Sequence, residues 1–192
     1  MKTEVRDRIL DIGISIIAKK GYNGIGIMEI LNEANTPKGS FYHYFKSKED
    51  FGVQVINRYS EDTLKYINSF LEDNTINPVQ RIFALFENVQ KIYVQKEFNE
   101  GCLLGNSSTE LGGQNIHFAS LLNNEFLKME KLFAKCLTQA KNQGELQSNM
   151  SPDELAGFIV NSWEGVILRM KVTKTLDPMK NFLKILRTQI LV

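Results

Sequence analysis

The chain has 192 residues, 43% of them hydrophobic and 23% charged, and a net charge of +1. That length admits one large domain or a small domain with a larger one, with enough chain for a substantial core. No apolar run is long enough to span a bilayer, two cysteines far apart do not make a secreted disulfide scaffold, and the charged start is not a signal peptide, so a cytoplasmic protein is expected.

Nearly every segment carries helical periodicity. Val5, Ile9, Ile12, Ile16 and Ile17 recur at three- and four-residue spacing, which predicts a helix over 3–20 that Gly21 ends. A short second helix is expected over 27–34, with Ile27, Ile30 and Leu31 on one face. Asn35 and Thr36 make a turn, since Asn tolerates the left-handed backbone such a turn demands. Pro37 suits the first turn of a third helix, about 37–44, where a missing N–H costs nothing. Ser47, with Asp50 three residues on, has the spacing of a cap that opens a long helix over 48–72.

Asn77-Pro78 starts the next helix, about 78–97, after a break at 74–78. Residues 99–113 read as irregular, holding one short helix capped by Ser107-x-x-Glu110. Longer helices follow over about 118–142, ending at Gly144, and from Ser151-Pro152-x-Glu154 to about 173. Asp177-Pro178 opens the last, to about 191. Strand signals are absent, so the expected fold is all-α, about nine helices. A division near residue 50 is expected, giving a head at 1–50 and a helical body at 51–192.

Residues 36–48 carry Lys38, Lys46 and Lys48 and no acid, with small residues alternating with aromatics that have polar tips. A helix that enters a DNA groove needs this mix: little bulk where the backbone approaches, and donors where phosphates lie. Bulk charge makes no such case, because residues 1–50 hold eight Lys/Arg against seven Asp/Glu. On the first turn, Lys38 can reach a guanine edge or a phosphate, and Ser40 either a base or a phosphate. Gly39 lets the backbone approach closely. Tyr42 offers a ring for packing and a hydroxyl for phosphate, and His43, four residues after Gly39, can face the DNA and donate to phosphate. Lys48 adds charge at a helix start that itself favours phosphate. Phe41 and Phe45 are assigned to the core of the head.

The run Lys38-Gly39-x-x-Tyr42-x-x-Phe45-x-x-Lys48 resembles the end of the helix-turn-helix in TetR-type transcriptional repressors. The resemblance is tight over 1–52 and looser beyond. It implies a three-helix head on a helical ligand and dimerisation body, with Lys38, Gly39, Tyr42, His43 and Lys48 contacting DNA. It also implies a homodimer on double-stranded operator DNA, the last two helices pairing with their copies. Gly26-Ile27 stands where members of the family often carry threonines that cap the second helix, and Asn35-Thr36-Pro37 replaces a commoner Gly-Val-Ser turn.

In the body, Gly101-Cys102-Leu103-Leu104-Gly105-Asn106 and Trp163-Glu164-Gly165-x-x-Leu168-Arg169-x-Lys171 resemble strings of the NemR-like branch of that family, which senses reactive electrophiles. The resemblance implies Cys102 as a sensing thiol, with Lys171 or Arg169 lowering its pKa. The residues alone leave Cys102 equally open to being a small buried hydrophobe. Cys136 lies at helical spacing with Leu132, Phe133 and Leu137 and reads as core, as do Trp163 and the phenylalanines, some of which can line a ligand pocket between helices.

Two functions therefore stand within one class: a repressor released by an electrophile or oxidant at Cys102, or one released by a reversibly bound small molecule. A thiol-dependent enzyme using Cys102 and His117 is the reading from another class, and it lacks a third orienting group. His117 has no Cys, Asp or His at ligand spacing, so neither a metal nor another cofactor is expected, and no membrane partner.

Overall fold

The computed structural model describes residues 2–191, and its described residues form helices and loops with no strand. Residues Met1–Asp62 with Cys102–Glu125 make one compact unit, and Thr63–Gly101 with Phe126–Val192 the other.

The first unit holds α1 (Lys2–Lys20), α2 (Ile27–Glu33), α3 (Lys38–Tyr44), the front of α4 (Lys48–Leu71), α6 (Leu103–Leu111) and the front of α7 (Ile116–Asn142). Ile9, Leu10, Ile16, Ile17, Ile30 and Leu31 are buried from α1 and α2, as their spacing requires. Phe41, Phe45 and Phe51 form an aromatic triangle, with ring centroids 5.0, 5.1 and 5.5 Å apart. This cluster locks α3 onto the start of α4. Asn35 is left-handed at φ 47°, and the N–H of Thr36 donates to the Leu31 carbonyl, which closes the α2–α3 turn. Pro37 sits one position before α3, as its N-cap. Ser47 Oγ accepts the Asp50 N–H at 3.0 Å, and Asp50 accepts the Lys46 N–H at 2.8 Å, so α4 is capped where Ser47-x-x-Asp50 predicts.

One expectation fails in this unit. Ser107 caps nothing: it is buried in the middle of α6, whose N-cap is Cys102. The reason is packing. Leu103, Leu104 and Leu111 are buried along with Ser107, and their 3.6-residue spacing extends the helix back past the presumed cap.

The second unit holds the rest of α4, α5 (Pro78–Gln95), the rest of α7, α8 (Pro152–Thr173), α9 (Asp177–Ile185) and a π-helical turn (Leu186–Ile190). Its centre is Phe86, with Phe133, Trp163 and Phe182 at centroid distances of 6.0, 5.3 and 5.4 Å. Buried Arg81 donates to the carbonyls of Leu71 and Ile76 and to the side chains of Asn74 and Gln139. Those bonds satisfy its charge and fix the α4–α5 turn. The final helix is shorter than its apolar pattern predicts: α-helical bonding stops at Ile185, and the Leu191 N–H then reaches back to Leu186 O.

Candidate functional site

α3 divides cleanly by exposure. Phe41 is fully buried, while Lys38, Gly39, Tyr42 and His43 are exposed and Ser40 is half-buried. One helix thus anchors itself by an aromatic and presents a lysine, a hydroxyl, an imidazole and a bare backbone on its other side. A Cβ placed on Gly39 would meet nothing within 4 Å, so the glycine leaves a gap on the surface rather than filling a tight place. The Tyr42 ring stands edge-on to Phe41 at 5.4 Å, which steers its hydroxyl outward.

Lys48 behaves differently. Its ammonium donates to the Ile25 carbonyl at 2.7 Å and lies 4.7 Å over the Tyr22 ring. It therefore ties the start of α4 to the α1–α2 loop, and a DNA phosphate would have to share that ammonium. Sequence periodicity gave no sign of this inward bond, since residues 25 and 48 meet only through the turn of the head. Burial, with the nearby Glu49 charge, pushes the Tyr22 hydroxyl up to about 12, so it stays a neutral packing group. Gly26, at the N-cap of α2, offers no side-chain cap bond, as its lack of a hydroxyl requires.

Cys102 belongs to the first unit with the head. It is buried, 6% exposed, at the N-cap of α6, and the Tyr59 hydroxyl donates to Sγ at 3.8 Å. Next to Tyr59 on α4, Ser60 donates its hydroxyl to Glu125, and the two form a buried hydrogen-bonded pair. Neither partnership is visible in sequence, because both join residues more than forty positions apart. Cys136 is the contrasting thiol: its Sγ donates to the Pro78 carbonyl at 3.3 Å, and burial pushes it up to about 11.

Trp163, Arg169 and Lys171 lie on α8 in the second unit, buried, exposed and half-buried in turn. The Trp163 indole N–H is buried with no hydrogen-bond partner, which is uncommon for a group that normally finds one. His117 is exposed at the start of α7, where Asn115 caps the helix through the N–H groups of His117 and Phe118.

Comparison with known proteins matches both parts of the chain. Residues 9–53 fit the family model of bacterial regulatory proteins of the tetR family, and 78–186 the tetracyclin repressor-like C-terminal domain. The HTH-type transcriptional repressor DhaR of Mycobacterium sp. (strain GP1) is 35% identical over 96% of this chain and 91% of its own. The HTH-type transcriptional repressor NemR of Escherichia coli is 27% identical over 94% and 90%. The crystal structure of its reduced form superposes with a TM-score of 0.89, covering 98% of this chain and 97% of that one at 26% identity. A TetR regulatory protein from Rhodobacter sphaeroides has the same TM-score at 31% identity, over 97% and 98%. Phe41 is thus buried beneath the exposed Lys38, Gly39, Tyr42 and His43 within the matched N-terminal segment, and the chain belongs to the TetR family of helix-turn-helix transcriptional repressors, not to the enzymes.

Proposed function

We propose that the protein is a homodimeric repressor that reads its operator with α3 and lets go when Cys102 reacts with an electrophile or oxidant. The functional boundary lies near residue 50: residues 1–50 bind DNA and 51–192 sense and dimerise. Lys38 and Ser40 address base edges or phosphates, Tyr42, His43 and Lys48 address phosphates, and Gly39 admits the backbone. The observation that supports the sensing part is the placement of Cys102, at the N-cap of a helix in the same compact unit as the N-terminal helices.

Chemically, a thiolate at Cys102 adds to the β-carbon of an unsaturated carbonyl. The S–C bond forms as the C=C π bond breaks, and the α-carbon takes a proton from water. A hydroxyl donor such as Tyr59 favours the thiolate over the thiol. The thiol is buried, so reaction proceeds through local opening of the first turn of α6. The adduct then needs room the packed site lacks, and it favours whichever body conformation provides it. Release follows only to the extent that the adduct distinguishes the two conformations.

A second reading has its own observation. The orphaned indole N–H of Trp163 would be satisfied by an acceptor on a reversibly bound inducer, with Cys102 purely structural. A gel-shift titration on DNA flanking the protein's own gene separates the two. Wild type and Cys102→Ser are compared with and without N-ethylmaleimide. Release of the wild type alone supports the thiol switch; two proteins that both bind and both ignore the reagent sink it and favour the reversible ligand.

A further inference from the structure

We propose that Glu110 is the positioning residue through which α6 holds the DNA-binding head. The inference deepens the release mechanism above and rests on it. α1 ends at Lys20, and Gly21 turns the chain at φ +77°. The next two backbone N–H groups converge on one carboxylate: Tyr22 donates to Glu110 Oε1 at 3.3 Å and Asn23 to Oε2 at 2.9 Å. Two successive amides aimed at one anion make a backbone anion site, and here the anion is a side chain eighty-eight positions away from Tyr22.

The fit at Gly21 is close. A Cβ there would lie 2.0 Å from Glu110 Oε1, so the carboxylate occupies the space a side chain would need. Gly21 is thus required twice, by its left-handed backbone and by the approach of Glu110. One turn back along the same face of α6, Asn106 Nδ2 reaches the Ala18 carbonyl at 3.5 Å. The apolar face of α6 is separate: Leu103, Leu104 and Leu111 hold the helix in place whether or not Glu110 is present.

α6 therefore has Cys102 at its N-cap and Glu110 in its last turn. Displacing the thiol end must either carry residues 18–23 along or break both amide bonds to Glu110. Among the described residues, no other side chain of α6 bonds two backbone groups of the head. Without the carboxylate, α6 can move and leave the head where it is.

The full-length chain is tested as wild type, Glu110→Gln and Glu110→Ala. Affinity for the duplex upstream of its own gene is read by fluorescence anisotropy before and after N-ethylmaleimide, and mass spectrometry scores the adduct at Cys102. The three proteins are expected to label equally and to melt alike. The loss of affinity on labelling, large in wild type, shrinks to within about twofold of none in Glu110→Ala, with Glu110→Gln between them. A loss in Glu110→Ala equal to that of wild type overturns the proposal.

If labelled wild type keeps its affinity, the thiol-switch reading has failed instead, and Glu110 is judged on unlabelled protein. Amide exchange at Tyr22 and Asn23 must then quicken, and operator affinity fall at least about threefold, in Glu110→Ala. Unchanged affinity overturns the positioning role. Gly21→Ala guards against a folding artefact, since its Cβ collides with the carboxylate only where the carboxylate exists. Its effect on affinity must be smaller in a Glu110→Ala background than alone; equal effects count against the contact.

Discussion

Gly39 is the most instructive single residue of the exposed α3 face. Inside a helix, glycine is less stable than alanine by about 0.5–1 kcal/mol, and here the added methyl would touch nothing. The free protein therefore has no use for the glycine. Gly39→Ala is expected to raise the stability of the unbound protein by about 0.5–1 kcal/mol in a urea melt. If α3 reads the operator as proposed, the substitution should also weaken operator binding about tenfold, because the methyl would then stand where the backbone meets DNA. Undiminished binding would show that DNA never comes that close. The same position shows what sequence can and cannot reveal. The aromatics at 41 and 45 and the exposed polar residues between them are legible, because a short helix with buried aromatics three or four apart has only one face left to present. The inward bond of Lys48 is not, because it depends on a loop carbonyl that no periodicity places.

At the scale of helices, caps decide where elements begin and how they respond to acid. α8 opens with a reciprocal box: Ser151 Oγ accepts the Glu154 N–H at 3.2 Å, and Glu154 accepts the Ser151 N–H at 2.7 Å. The Ser151 N–H, and then its hydroxyl, hold the Glu154 carboxyl below its ordinary 4.5. A carboxyl lowered on folding stabilises the fold above its unfolded value and loses that contribution as pH falls through the folded one. Relative to the intrinsic exchange rate at each pH, the amides at the start of α8 should accordingly be less protected in acid, where Glu154 is protonated, than at neutrality. Ser151→Ala should cost about 1 kcal/mol at neutral pH and make that acid response shallower. A variant as stable and as acid-sensitive as wild type would deny the box any role. The same Ser-x-x-Glu spacing at 107–110 misleads, and the physical reason is instructive. A box forms only where the serine begins the helix; at Ser107 the neighbouring leucines extend the helix, burying the hydroxyl and freeing the glutamate for a tertiary bond.

For the whole molecule, assembly turns on α8. Phe158, Leu168 and Val172 are exposed on it, with Gly165 between them, at spacings of seven, three and four that put them on one face. Ile185 on α9 is exposed as well. A stripe of this kind suits a second copy in a two-fold arrangement, where each residue meets a self-complementary surface. Leu168→Arg is expected to give a folded monomer by light scattering, and one that loses most of its operator affinity. Two heads acting on half-sites about one DNA turn apart bind together far more tightly than either alone. A monomer that still binds the full operator tightly would refute the dimeric reading. The helix count and the boundaries of most helices are legible in sequence because amphipathic spacing is a local signal. The tertiary bonds that join 22 to 110, 59 to 102 and 60 to 125 are not, since the fold alone brings those residues together.

The lone tryptophan of the chain sits in that body with its ring boxed by Phe86 and Phe133 and its N–H unspent. Optically, this makes the protein self-reporting. An indole in an apolar, unbonded setting emits at short wavelength, and any acceptor that reaches its nitrogen shifts the emission to the red. The body's occupancy can thus be followed in a cuvette without dye, label or DNA, on the same sample whose thiol is being titrated.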